Sequence, residues 1–418
     1  MIFYHGCLPV KRRRGAVAVL VAICLIPLIG VLAMVLDGAL FLGEQRRAQA
    51  AADATAHAAA CSLYTNYSVN QGLDPGGLAR TAALSIASGN GYTNNGTNST
   101  VTLNIPPLSG KFVGKSGYAE AIINYYQPKL FSAIWGAGTQ TITGRAVARG
   151  MLSPYSNASL IVLNPSGAGS LAVSGSGRVI ASSAVQVNST NSGAVSATNA
   201  GYVKAPNINI TGNYTTSSSG YLSGTVATNA PSVSDPLSTL TPPSTSGLTT
   251  RGAIPTYGSF TMNPGVYSGG VSIGGGSTVT MSPGLYYMQG GSFSIANGAT
   301  VTGSGVTVYV DSGGGQISFQ GGGNITLSAS TSGTYAGVVL YLDRNSSQGI
   351  NIANGSTSNI TGTVYAPSAA ATFAGGASSS QYGSQFVVKT MNVSNNANVS
   401  VNWSSTSTAR SRSLSIVE

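Results

Sequence analysis

Charge is what this sequence has least of. Only 7% of its 418 residues are Asp, Glu, Lys or Arg, against roughly a quarter of an ordinary globular domain. Acid is the scarcer sign, with 9 Asp and Glu against 19 Lys and Arg. Few soluble enzymes have this balance, and a surface built without charge must be neutral and polar. Base is also too dilute to bind phosphates. Residues 156–418 hold seven Lys/Arg and four Asp/Glu, with no basic stripe, which excludes nucleic acid as a partner. The chain has 3 cysteines and 2 histidines. Cys7 falls on the cytoplasmic side, Cys24 in the membrane and Cys61 alone in an oxidising compartment, so no intrachain disulfide is expected. His57 has no second His or Cys at ligand spacing, and neither a metal nor another cofactor is expected.

Long apolar runs are also scarce, apart from one. Ala16 to Leu36 is unbroken and uncharged, preceded by Lys11, Arg12, Arg13 and Arg14 and followed by Asp37. As a helix it reaches about 31 Å, the thickness of a bilayer core, and Pro27 is tolerated in such a setting. The run is therefore predicted to be a single span over 15–37. The basic cluster before it keeps the N-terminus cytoplasmic, which places the rest on the periplasmic or extracellular side of the inner membrane. Three rivals fit less well. A buried core helix rarely carries so long an apolar run. A cleaved signal ending at Ala48-Gln49-Ala50 has too long a core, with Glu44, Arg46 and Arg47 in the way. A lipoprotein signal at Cys24 has a bulky Ile23 before it.

Phe41 to Leu63 is alanine-rich, and helix propensity favours continuing the helix outward as a stalk. The ordered signals Arg13-Arg14-Gly15-Ala16-Val17, Pro27-Leu28-Ile29-Gly30, Asp37 and Arg46-Arg47-Ala48-Gln49-Ala50-Ala51-Ala52-Asp53-Ala54 resemble the N-terminal module of TadG-like Flp (Tad) pilus-assembly proteins. The resemblance is confined to this module. It implies a membrane-anchored envelope protein with other pilus-assembly or envelope proteins as partners, and a small α+β module after the stalk. Asp37 and Asp53 then read as an interfacial carboxylate and a stalk position, or as charges paired with partner helices. Many such chains carry a metal site of the form Asp-x-Ser-x-Ser; none occurs here, so metal-dependent adhesion is not carried over. A basic run ending at Gly15 before an apolar helix is also the layout of a prepilin. The fifth residue beyond that glycine is Leu20 rather than a glutamate, so an intact anchor is expected instead of a filament subunit.

Residues 38–155 read as the stalk plus the α+β module, with a helix over Leu78–Ser88 and a strand over Ser99–Ile105. An edge strand or short helix is read over Ala119–Tyr126, a helix start over Pro128–Trp135 and a strand over Thr139–Ala148.

From 156 to 403 a repeat appears. Segments beginning at Val271, Phe293, Ile317, Ile350 and Met391 each alternate apolar residues with Ser, Thr or Asn around a Gly/Asn corner, and looser copies lie near Leu171, Val185 and Ile208. Short strands recurring at 22 to 24 residues without helices point to a right-handed parallel β-helix, a solenoid whose coils bury one column together. Wider spacings further on imply inserted loops. The alternative is a β-sandwich. Inward positions are expected at Ile273, Ile295, Phe319, Ile352 and Val393. The Pro/Ser/Thr-rich segment 230–258 reads as an exposed loop interrupting the solenoid, and 404–418 as a frayed tail.

Some β-helix proteins cleave polysaccharides with clustered carboxylates. This solenoid offers only Asp235, Asp311 and Asp343 before Glu418. Asp235 lies in the loop, Asp311 and Asp343 read as strand-end turn residues, and Asp343 and Arg344 as neighbours on opposite faces of a strand. No catalytic residue is assigned. The expectation is a non-catalytic structural protein of a Tad-type pilus or secretion apparatus. The alternatives are an adhesin-like β-helix binding glycan or another cell, and least of all a polysaccharide-cleaving enzyme.

Overall fold

The computed structural model describes residues 14–154, 156–255 and 257–418. The basic tail through Arg13, with Cys7, lies outside them. The contacts form two compact units, one running to Leu152 and including Arg412–Glu418, the other Ser153–Ser411.

The first unit is organised by α1 (Arg14–Thr65), 52 residues without a break at Pro27. Its N-terminal half keeps large apolar side chains in the open, with Val17, Ile26 and Leu28 all more than 60% exposed. Among the described residues it is the one helix long and apolar enough to cross a membrane. Its C-terminal half is not the free stalk expected from the alanines. Ala48, Ala52, Ala56, Ala59 and Ala60 are completely buried. Alanine serves here for close approach as much as for propensity. A β-carbon on Gly144 would lie 2.4 Å from the Ala48 carbonyl oxygen, and one on Gly150 only 1.8 Å from that of Ala60. Small residues on both surfaces thus let helix and sheet backbones nearly touch.

After the single turn α2 (Tyr67–Asn70), α3 (Leu78–Gly89) buries Ala79, Ala83 and Ala87 at four-residue spacing. That spacing puts them on one helical face. Asp74 accepts from the amides of Ala79 and Arg80 at the start of this helix.

The sheet is antiparallel through β1 (Ser99–Asn104), β2 (Tyr118–Pro128) and β3 (Thr139–Pro154). Ala119–Tyr126 belongs to β2, which has a strand on each side and is not an edge. The helix expected after Pro128 is one 3-10 turn, Ser132–Trp135. The C-terminal residues, expected to fray, form the strand Arg410–Ile416 beside β3. Alternation in Leu414 and Ile416 was too short to stand out beside the Ser/Thr/Arg residues around them.

The second unit is a parallel β-solenoid of about ten turns. The parallel pairing of its strands rules out the sandwich alternative. Along one face the ladder runs Val271, Phe293, Ile317, Ile350, Ala371, Met391, and then Leu171, Val195 and Tyr214. The expected inward residues Ile273, Ile295, Phe319, Ile352 and Val393 are each at most 1% exposed. Corners are built from two consecutive left-handed residues, for example Asn297-Gly298, Asn354-Gly355 and Asn395-Asn396 with φ of 53° to 74°. Asn and Gly tolerate that conformation best.

Two features of the winding differ from expectation. The long spacing before Met391 hides a complete coil, Ala371-Thr372-Phe373, whose small alanine disguised the pattern. The coils also do not stack in chain order. Leu160, Leu171 and Val179 of the first coil pair with Phe386, Met391 and Val399 of the last. The chain therefore enters in the interior of the stack, winds to one end at Ala227, returns along the flank to the other end at Thr250, and winds back.

Candidate functional site

The return segment is the feature that sequence pattern described worst. Instead of looping into solvent, residues 230–249 lie on the solenoid's flank. Gln186 donates to the Pro231 carbonyl, and the side chain of Asn188 exchanges two bonds with the backbone of Val233. Leu237 is fully buried and Leu240 nearly so. Tyr335 donates to the Thr241 carbonyl, and the Val266 amide to that of Thr249. The strap thus follows the axis from coil to coil.

Beneath it stands a row of outward-pointing tyrosines in register: Tyr287, Tyr309, Tyr341 and Tyr365 on successive coils. Their ring centroids are about 5 Å apart, the last two contacts edge-on. Such offset and edge arrangements are favourable beyond the area they bury. The row continues as Val387 and Ile161. An outward row this apolar must be covered, and the strap's leucines cover it. A signal for it existed in the recurring apolar-Tyr-apolar triplets Val308-Tyr309-Val310, Leu340-Tyr341-Leu342 and Val364-Tyr365-Ala366.

Three of the solenoid's charges, Asp235, Asp343 and Arg344, meet this row and its cover. Tyr365 donates to Asp235 at 2.6 Å and accepts from Arg344 at 2.8 Å. The Arg344 guanidinium also donates to the carbonyls of Leu237 and Leu240. Tyr309 donates to Asp343 at 2.5 Å, and Asp343 also accepts from the Asn345 amide. Burial first, then the neighbouring carboxylates, push the Tyr309 and Tyr365 hydroxyls far above their ordinary acidity range. Burial likewise pushes Tyr341 up to about 12. All three remain protonated donors. Asp343 and Arg344 do not sit on opposite faces of a strand, because the strand ends at Leu342 and both turn residues reach the tyrosine row. Asp311, one coil away, accepts from the Gly290 amide.

In the first unit, Asp37 closes α1's apolar stretch by accepting from the Phe131 and Ser132 amides and the Ser132 hydroxyl, at 2.5 to 3.1 Å. Asp53 accepts from Gln49, whose amide also bonds both backbone groups of Arg145. The helix motif thus reads the sheet's backbone directly. Glu120 is completely buried. Burial opposes its ionisation, but donors from Ser109, Asn104, the Leu108 amide and Arg145 outweigh that and hold it at about 2. Glu120 and Arg145 sit diagonally across β2 and β3, joined at 2.8 Å. Glu418 reaches the same arginine at 3.4 Å. His57 is half-buried on α1, and Cys24 and Cys61 are free thiols. Among the described residues no group of three His, Cys, Asp or Glu is placed to hold a metal ion.

Charge on the open surface of the solenoid is sparse, with Arg178, Lys204 and Lys389 among the exposed residues. Thr278, Thr300 and Asn324, with Thr280, Thr302 and Thr326, form two rows on successive coils, mostly exposed. What this geometry offers is neutral, hydroxyl-lined contact area.

Residues 15–62 match a family model described as putative Flp pilus-assembly TadE/G-like. The matched segment lies wholly within α1 and stops short of the solenoid. No curated protein and no solved structure matches the chain.

Proposed function

We propose that this chain is a non-catalytic structural or assembly protein of a Tad (Flp) type pilus or secretion apparatus, held by one span in the inner membrane with its N-terminus cytoplasmic and its solenoid on the outer side. The observation that carries this reading is α1 itself. Between Val17 and Leu36 it exposes large apolar side chains, its second half is packed on a sheet, and the Tad-type match covers both halves. The four basic residues before Gly15 support the orientation. A non-catalytic role is supported by the state of the solenoid's carboxylates, since Asp235, Asp311 and Asp343 each accept a structural hydrogen bond.

Deletion of the gene in its native host tests this. Loss of surface Flp filaments at normal prepilin levels is the expected outcome; unchanged piliation would refute it. Mass spectrometry of the membrane-extracted protein should find the chain uncut after Gly15. A mature N-terminus at Ala16 with recovery in sheared filaments would make it a subunit instead of an anchor.

A second reading, a surface adhesin whose solenoid binds glycan, is favoured by the exposed threonine rows. It requires binding to a glycan panel that is lost on Thr280→Lys or Thr302→Lys.

A further inference from the structure

The apolar surface of α1 does not stop at Asp37. Leu40 and Leu42 beyond it are also exposed, and the next charge is Glu44, which pairs with Arg47 at 2.6 Å. The Asp37 carboxylate itself is engaged by the Phe131 and Ser132 amides and the Ser132 hydroxyl. From Leu36 to Leu42 the helix advances about 9 Å, which is the depth to which apolar side chains sit in the interfacial layer of a bilayer.

The hairpin between β2 and β3 reaches the same level. Gly150 of β3 lies against Ala60 and Gly144 against Ala48, so the strand descends the helix towards the span. The two separations agree, since the helix from Ala60 to Ala48 and the strand from Gly150 to Gly144 each advance about 18 to 20 Å. Below Gly144 the hairpin turns, and its tip is tied to Asp37.

This tip has an unusual composition for a turn in water. Residues 130–138 contain no Asp, Glu, Lys or Arg, and Leu130 and Phe131 are 55% and 48% exposed. Lys129 precedes it, the kind of residue that anchors a chain at the headgroups. Exposure alone does not single the tip out, because Val69 is 81% exposed. Val69, however, lies beyond the far end of α1, about 40 Å of helix from Asp37.

We propose that the tip of the β2–β3 hairpin, residues 130–138, is a second membrane contact, with Leu130 and Phe131 seated in the interfacial layer of the leaflet at the Asp37 end of the span. This rests on the reading of α1 as a membrane span. The occupant is the bilayer because the tip continues a surface that lipid covers: Asp37 ties it to the end of the apolar run, and Leu40 and Leu42 carry that run past it. A lone helix is free to tilt and turn in a bilayer. Helix and tip together hold the first unit in one orientation against the membrane.

Spin labelling of the full-length chain in phosphatidylethanolamine/phosphatidylglycerol nanodiscs tests this. Cys7, Cys24 and Cys61 are replaced by serine, and single labels are placed through Leu130→Cys, Phe131→Cys, Ile26→Cys and Val69→Cys. Collisions of each label with oxygen, which concentrates in lipid, are compared with collisions with a nickel chelate confined to water. The two tip labels should favour oxygen, as the Ile26→Cys label does in mid-span, and the Val69→Cys label should favour nickel. All four positions are exposed, and either tip label suffices if the other variant does not fold. Tip labels that favour nickel while Ile26→Cys favours oxygen leave the span standing and overturn the tip contact. An Ile26→Cys label that favours nickel overturns the span, and the contact falls with it. Tip labels shielded from both reagents mean that a partner protein or a second copy covers the tip, which also overturns the proposal.

Discussion

The amide of Asn396 donates to the carbonyl of Gly175 across 2.8 Å, joining a corner near the end of the solenoid's sequence to one near its beginning. The same bond links every other pair of neighbouring corners, from Gly276 to Asn297 and from Ser176 to Asn199. The corner ladder runs through the break in the chain as though the winding were continuous. The solenoid should therefore melt as one unit, although it is made of two separately wound segments.

Substitution at the inward column tests the register. Ile295→Asn puts an unpaired amide among fully buried residues and should cost about 1 to 3 kcal/mol or more. Ser294→Asn, on the outward side, should be near neutral. Circular-dichroism melts of the two variants decide it, and the reverse order would shift the register by one.

The junction should be as sensitive as any interior coil. Met391 is fully buried, and Met391→Ala should cost about 2 to 5 kcal/mol. One shifted transition is expected. A second, separate transition would mean that the segments on either side fold independently.

Glu120 makes the first unit sensitive to acid. Its folded value near 2 lies below the ordinary 4.5, so its contribution is fully present above about pH 4.5 and is lost as the pH falls toward 2. The shift corresponds to something on the order of 3 kcal/mol. Glu120→Ala should weaken the pH dependence in this window and leave Arg145 with Glu418 alone at 3.4 Å, with a loss at neutral pH of similar size. Denaturant midpoints from pH 7 to 2.5 read both effects.

The strap should open locally before the solenoid unfolds. Arg344→Ala removes the guanidinium bonds to Leu237, Leu240 and Tyr365, and about 2 kcal/mol is expected to be lost. Hydrogen exchange should rise in 231–249 while the strands at Phe293 and Phe319 stay protected. Combined with Tyr365→Phe, the effect should be less than additive, because both changes break the same clasp.

Gly150 separates close approach from helix propensity. Gly150→Ala places a methyl against the Ala60 backbone and should prevent the helix from seating on the sheet. At Gly43, where nothing lies within 4 Å, the same change should stabilise the helix by about 1 kcal/mol. Thermal melts in detergent distinguish the two.

The sequence by itself determined whatever depends on local period and composition. The apolar run made α1, alternation with Gly/Asn corners made the coils, and the inward positions from Ile273 to Val393 followed because period two assigns every residue a face. Tertiary structure decided what depends on which distant surfaces meet. Alanine in α1 satisfies a free helix and a closely packed one equally well, and only Gly144 and Gly150 across the gap select the second. Alternation says which face of a coil is inward but not which coil lies next to it, so the meeting of Met391 with Leu171 was not legible. A proline- and serine-rich segment looks like a loop until Leu237 and Leu240 find Tyr341 and Tyr365. Asp235, Asp343 and Arg344 gained their roles in the same way. A lone charge in a neutral sequence has no stated partner until the fold brings a tyrosine hydroxyl within bonding distance.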